Sequence, residues 1–459
     1  MTTSESVPPA ARPQVGDDLD LRIESLAFGG NGVARVPAGE RSYVVFVRDA
    51  VPGDLVRARV TKRKRDYAEA RTVEVLEAGP DRIAPVAPHP GAPWQILPYE
   101  RQLEIKHAQV EDALRRLGHL DGFELEPIIP AAAQWRYRNK LEYSFGQGSE
   151  GELICGFHAP GSWSRIESLD DCLLASERGN ELRTRALDAL RAQRLRPYDR
   201  REQTGFLRNL VVREGTRTGQ SQIRLVTSPG PFDTDAFIAA LEDVDSIIWT
   251  QAPGVAETTS GGRDELLYGR PTIEEEVCGM RFSLSSEAFF QTNTVMAEAL
   301  YGVVGEYAAL QGWERIYDLC CGIGTIGLSL APRAAEVTGV EIVPEAVEDA
   351  RRNARSNELA NARFIDGDVR VVLKELAERG ERPDVVVVDP PRAGLSRKVV
   401  GRIAEASPKR IVYVSCNPTT FAPNAAQLGE AGYRVVKVRA VDQFPQTPHI
   451  ECVALLERA

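Results

Sequence analysis

The chain has 459 residues, 43% of them hydrophobic and 27% charged, with a formal net charge of −10. That length exceeds one ordinary domain, and about three domains are expected. No apolar run approaches the roughly 18 residues of a membrane span, and seven cysteines scattered along so long a chain exclude a small disulfide scaffold and point to a reducing cytoplasm.

Met1 to Pro13 is polar and proline-rich and reads as a disordered leader. Residues 14–78 alternate as short strands around Leu19, Leu21 and Ile23, Tyr43 to Val47, Leu55 to Val60 and Ala70 to Val75. Glycine-rich turns, Gly29-Gly30-Asn31-Gly32 and Pro52-Gly53-Asp54, separate them. Such spacing predicts a small barrel of the OB type. Although the chain is acidic overall, Arg57, Arg59, Lys62, Arg63, Lys64, Arg65 and Arg71 cluster here, either as a solvated loop or as a phosphate-binding edge. The Gly-Gly-x-Gly turn and this basic edge give the segment a resemblance to the TRAM domain, an RNA-binding barrel.

Pro80 to Pro98 is a proline-rich link, and 99–118 reads as an amphipathic helix with Leu103, His107, Val110, Leu114 and Leu117 near one face. A β-rich section follows to 283. Its Tyr137-Arg138-Asn139-Lys140 and Gly205-Phe206-Leu207-Arg208-Asn209 suit RNA stacking as well as ordinary half-buried strands. The last third alternates strand and helix, with strands expected at 314–319, 336–341, 361–365, 384–389, 410–415, 433–441 and 449–456. That rhythm is a doubly wound sheet whose last two strands pair as an antiparallel edge.

Two half-sites stand out in this sheet. Asp318-Leu319-Cys320-Cys321-Gly322-Ile323-Gly324 follows the first strand, and Glu341 ends the next, where a carboxylate can accept ribose hydroxyls. With Gly327 the run also meets G-x-G-x-x-G, so both a nicotinamide cofactor and S-adenosylmethionine fit this motif alone. Asp389-Pro390-Pro391-Arg392 ends a later strand, and Cys416 stands directly after Ile411 to Ser415. Arg392, where an amine methyltransferase carries a stacking aromatic, argues against amine methylation. A strand-end thiol suggests a ring carbon instead. Thiolate attack on carbon 6 of a pyrimidine makes carbon 5 nucleophilic, so the chemistry needs a cysteine, a methyl donor and a base for the carbon-5 proton. Cys416 and Glu451 supply the first and last.

Phe289 to Asn293, Asp318 to Gly324, Gly339 to Glu341, Asp389 to Gly394, Ser415 to Pro418 and Phe444 to Glu451 together resemble the RNA 5-methyluridine (uracil-5) methyltransferases. The resemblance implies an α/β fold, with a Rossmann-like class I methyltransferase domain, an N-terminal OB-like TRAM barrel and a β-rich central domain. It assigns 14–78 to the barrel, 79–98 and 119–283 to the central domain, and 99–118 with 284–459 to the methyltransferase. It makes Cys416 the nucleophile and Glu451 the base. Gln291, Cys320, Gly322, Gly324, Thr325, Glu341, Asp368 and Asp389 would hold S-adenosylmethionine. Relatives usually carry an aromatic at Cys320 and often Asn at Thr325, so cofactor packing should differ there. Some ribosomal-RNA members hold an iron–sulfur cluster on linker cysteines. The linker Ala87 to Trp94 has none, so no cluster and no metal are expected, and Cys172 becomes a packed remnant. The partner is RNA, with ribosomal RNA favoured and transfer RNA the alternative, and no membrane; a monomer is the default. A catalytically silent RNA-binding factor and a nicotinamide oxidoreductase are the rival readings.

Overall fold

The computed structural model describes residues 12–38, 41–162, 164–255, 259 and 261–459; nearly all of the expected leader lies outside them. Two compact units emerge. The first comprises the chain up to Pro88 with Ala92–Gln109 and Phe444–His449; the second comprises His89–Gly91, Val110–Gln443 and Ile450–Ala459.

In the first unit, Asp18–Arg22, Leu55–Arg63, Tyr67–Glu77, Arg41–Arg48, Gly32–Ala38 and Ser25–Leu26 form one sheet in that spatial order. Alternation explains it: Val56, Ala58 and Val60 point into the core with Leu21, Val45, Val47 and Ala68, while Arg57 and Arg59 face out. Gly30 (φ +90°) has no room for a side chain, since a Cβ would sit 2.9 Å from Pro448 and from the Trp94 indole. The basic edge is partly neutralised. Arg57 pairs with Asp20 and Glu74, Arg59 with Asp18, and Lys62 with Glu69.

The helix runs Tyr99–Asp112 and continues as a π-turn to Leu117. Its buried face differs from the one expected: Leu117 is exposed, whereas Gln102 and Lys106 are buried. These polar groups are inside because they satisfy backbone carbonyls. Gln102 Nε2 donates to Trp94 and Leu97 O, and Lys106 Nζ donates to Phe444 O at 3.0 Å.

The second unit holds two large sheets. One, built from residues 140–269, has seven strands, with the helix Glu177–Ala192 packed on it. The other has eight strands in the order Ala362–Asp366, Glu336–Glu341, Arg315–Leu319, Val385–Val388, Arg410–Ser415, Glu451–Arg458, Tyr433–Val441 and Glu124–Ile129. The first five are mutually parallel, and Val385–Val388 is apolar throughout because helices cover both faces. Two expectations need correction. Glu451–Arg458 is interior, antiparallel to both neighbours, and Glu124–Ile129, read from sequence as part of the middle section, extends this eight-stranded sheet parallel to Tyr433–Val441.

Candidate active site

The glycine loop follows Arg315–Leu319 and opens the helix Thr325–Leu330. It turns through left-handed conformations at Cys320 (φ +60°), Gly322 (+53°) and Gly324 (+85°). Around the Cβ direction of Gly322 none of the described residues lies within 4 Å, whereas a Cβ on Gly324 would press on the Phe364 ring at 3.0 Å. Asp318 Oδ2 accepts from Gly327 N at 2.8 Å, clamping the helix start, while its buried Oδ1 has no partner among the described residues. Burial pushes this carboxyl up to about 7. Glu341 lies on the neighbouring strand. Its Oε2 accepts from Gly322 N at 3.0 Å and its Oε1 from Ile342 and Val343 N, so the carboxylate is held against the loop.

Burial first, and then the charges of Glu341, Asp389, Asp318 and Asp368, push the Cys320 thiol up to about 12. These residues therefore converge at the carboxyl ends of adjacent strands. Asp368 caps the helix Val369–Glu378, accepting from Arg370 N at 2.7 Å. Thr325 Oγ1 accepts from the Tyr301 hydroxyl. Gln291 comes from a separate loop, and no hydrogen bond among the described residues ties it to the glycine loop. The open space beside Gly322, the anchored Glu341 and the unpartnered Asp318 oxygen fit S-adenosylmethionine.

The second half-site lies two strands further along the same edge. Asp389 follows Val385–Val388, and burial pushes it to about 7. The Arg392 carbonyl accepts from Asn417 Nδ2 and Thr420 Oγ1, fastening this turn to the helix Pro418–Glu430. Ser415 pairs with Cys452 across antiparallel strands, so the next positions outward, Cys416 and Glu451, face each other. Burial, then the negative charges of Glu451 and Asp389, push the Cys416 thiol up to about 11; Arg392 opposes them. Glu451, 6% exposed, is raised well above the usual carboxylate range by burial and Asp389, again opposed by Arg392. Cysteine, carboxylic acid and cation thus form one interacting cluster.

Several bracing roles escaped sequence reasoning, including that of Asn139 in the stretch read above as suited to RNA. Asn139 Nδ2 donates to Gln291 O and Thr294 Oγ1. The fully buried Arg213 donates to Ser285 and Ala288 O, holding the loop that carries Phe289 and Gln291. Buried Glu275 accepts from Thr216 N, Arg217 N and Thr294 Oγ1. Their one sequence signal is polar residues inside strand-like apolar runs. Cys172 is buried with its sulfur 3.3 Å from His89 Nε2. Burial, aided by the Arg138 charge, lowers the His89 ring to about 4 and keeps it neutral. No group of three or more potential metal ligands occurs among the described residues.

Strand order and a glycine loop facing an acidic strand end define a class I methyltransferase domain. Residues 270–459 match the tRNA (Uracil-5-)-methyltransferase family, and 12–73 match the TRAM domain. A relative from Clostridium tetani, described as an uncharacterized RNA methyltransferase, is 36% identical over 455 residues, covering 96% of this chain and 98% of its own. One from Halalkalibacterium halodurans, described likewise, is 37% identical over 452 residues, covering 96% and 97%. The crystal structure of Pyrococcus abyssi tRNA (uracil-54, C5)-methyltransferase in complex with S-adenosyl-L-homocysteine superposes with a TM-score of 0.77 at 30% identity, covering 95% of this chain and 99% of that one. The chain belongs to the family of S-adenosylmethionine-dependent RNA uracil-5 methyltransferases. That membership sets the nicotinamide reading aside. No helix among the described residues is long and apolar enough to cross a membrane.

Proposed function

We propose that this enzyme methylates carbon 5 of one uridine in ribosomal RNA through a covalent Cys416–uracil adduct. The observation supporting it most is the facing pair Cys416 and Glu451 beside Asp389 and Arg392, on the sheet edge that carries the glycine loop. The Cys416 thiolate bonds to carbon 6 as the C5=C6 double bond opens, and carbon 5 gains the nucleophilic character needed to take a methyl group. S-adenosylmethionine supplies that methyl as an electrophile. Glu451 then removes the carbon-5 proton, and the C6–S bond breaks to release thiolate and product. A buried carboxylate with raised proton affinity is a better acceptor for that proton than an exposed one.

Gln291, Cys320, Gly322, Gly324, Thr325, Glu341, Asp368 and Asp389 are the residues we propose to hold the cofactor. The target base must leave its stack to reach Cys416, which favours a loop or bulge. In this reading the barrel at 14–78 and the central section at 79–98 and 119–283, less the strand Glu124–Ile129, hold the flanking RNA, and the enzyme works as a cytoplasmic monomer. Ribosomal RNA comes first because TRAM-bearing relatives often act there. The likeness to the Pyrococcus abyssi enzyme favours transfer RNA as the second reading.

The test is incubation with methyl-labelled S-adenosylmethionine and total RNA lacking 5-methyluridine, beside Cys416→Ala. Label in 5-methyluridine of ribosomal RNA, lost in the variant, is expected. Label confined to transfer RNA would replace the substrate class, and no label in any RNA would refute the reading.

A further inference from the structure

The seven-stranded sheet presents different chemistry at its two ends. At one end Asn139 and Arg213 brace the loop at 285–292. At the other, where Lys140–Gln147 finishes and Leu207–Glu214 begins, a cleft of about 1120 Å³ opens. Among the described residues, Arg191, Arg194, Arg196, Arg200, Arg201 and Arg208 line it, against Glu152 and Asp199 as acids. Both acids already serve the local backbone: Asp199 accepts from Arg201 and Glu202 N, and Glu152 accepts from Glu150 N. Six arginines in one cleft contrast with a chain whose net charge is −10.

The arginines divide by role. Arg208 is buried, donates to Ser228 Oγ and Gly254 O, and lies 4.0 Å over the Tyr198 ring, so it builds the wall. Arg191 donates to Leu153 O and Asp188. Arg194 and Arg196, by contrast, are exposed, and among the described residues their side chains make no hydrogen bond or ion pair. Two uncommitted guanidinium forks in a cleft lined with further positive charge match phosphate oxygens, which accept from arginine bidentately. The volume exceeds the roughly 300–1,000 Å³ of small-molecule pockets, which suits a polymer segment.

We propose that this cleft is a second RNA site, binding the sugar–phosphate backbone of the substrate RNA away from the modified uridine. The inference rests on the reading of the chain as an enzyme acting on RNA. Leu207 and Arg213 are six positions apart along one strand, so the cleft lies about 20 Å from the end that braces the Gln291 loop. The substrate must therefore be a folded RNA whose body extends well beyond the uridine-bearing loop.

The experiment is filter binding of unmodified ribosomal-RNA and transfer-RNA transcripts to the full-length protein, wild type against Arg194→Ala/Arg196→Ala. Losing two phosphate contacts makes the salt dependence shallower by about 1.6 log units per log unit of salt. Between about 75 and 300 mM KCl the wild type should then lose about ninefold more affinity than the variant. The Arg194→Lys/Arg196→Lys form keeps the charge and should regain most of the wild-type slope, and in turnover the alanine pair should raise KM for RNA severalfold. Equal affinity and equal slope in wild type and alanine variant would overturn the proposal, as would a wild type that binds neither transcript. A wild type that binds but methylates neither would refute the methylation reading, and the slope comparison would still decide the cleft.

Discussion

The thiol of Cys416 should be slow to ionise in the free enzyme. Its proton affinity is raised from 9.0 to about 11 by burial first, and then by the negative charges of Glu451 and Asp389. Two pH units mean that at neutral pH the thiolate is about 100-fold scarcer than in an unperturbed cysteine. Alkylation by iodoacetamide, followed at the Cys416 peptide by mass spectrometry, should keep rising tenfold per pH unit beyond pH 9 and level near 11. The neighbours set the signs. Glu451→Gln removes a negative charge and should move the midpoint down; Arg392→Ala removes the opposing cation and should move it up. A plateau below pH 9 in the wild type, or a Glu451→Gln midpoint that does not fall, would refute the electrostatic account.

Glu451→Gln should also cut turnover by about 10²–10⁴-fold, the usual worth of a positioned base. Because it blocks proton removal rather than attack, a protein–RNA adduct should persist on a denaturing gel; a variant inactive without any adduct would count against Glu451 as that base. Gly324→Ala should destabilise the fold by about 1–3 kcal/mol, since φ is +85° and the new Cβ meets Phe364 at 3.0 Å. Urea unfolding reads this directly, and an unchanged midpoint would show that the loop relaxes freely.

Much of this protein was legible in local sequence. Period-two alternation announced the barrel, and the all-valine run Val385–Val388, like the strand–loop–helix rhythm after 314, announced a parallel sheet. Glycines at 322 and 324 and the acids at 318 and 341 pointed to a tight turn beside an acidic strand end, which the structure has there, because tight turns and strand ends have residue requirements visible within a few positions. Such signals work wherever the physics is short-ranged.

The remainder depended on pairing between distant segments. Nothing near Glu451 announces that its strand lies between Arg410–Ser415 and Tyr433–Val441; only that register sets it opposite Cys416, 35 positions earlier. Glu124–Ile129 looked like part of the middle section until its parallel pairing placed it on the catalytic sheet. Gln102 and Lys106 looked like surface residues on a helix, yet inside they donate to the backbone carbonyls of Trp94, Leu97 and Phe444. Arg194 and Arg196 sit in an unremarkable basic stretch, and only the meeting of strand ends around residues 145 and 207 makes them the lining of a cleft. Sequence alone determined which chemistries the chain can carry, because these reside in residue types and short spacings. Tertiary structure decided which groups meet, because burial, register and charge coupling arise only when remote strands pair.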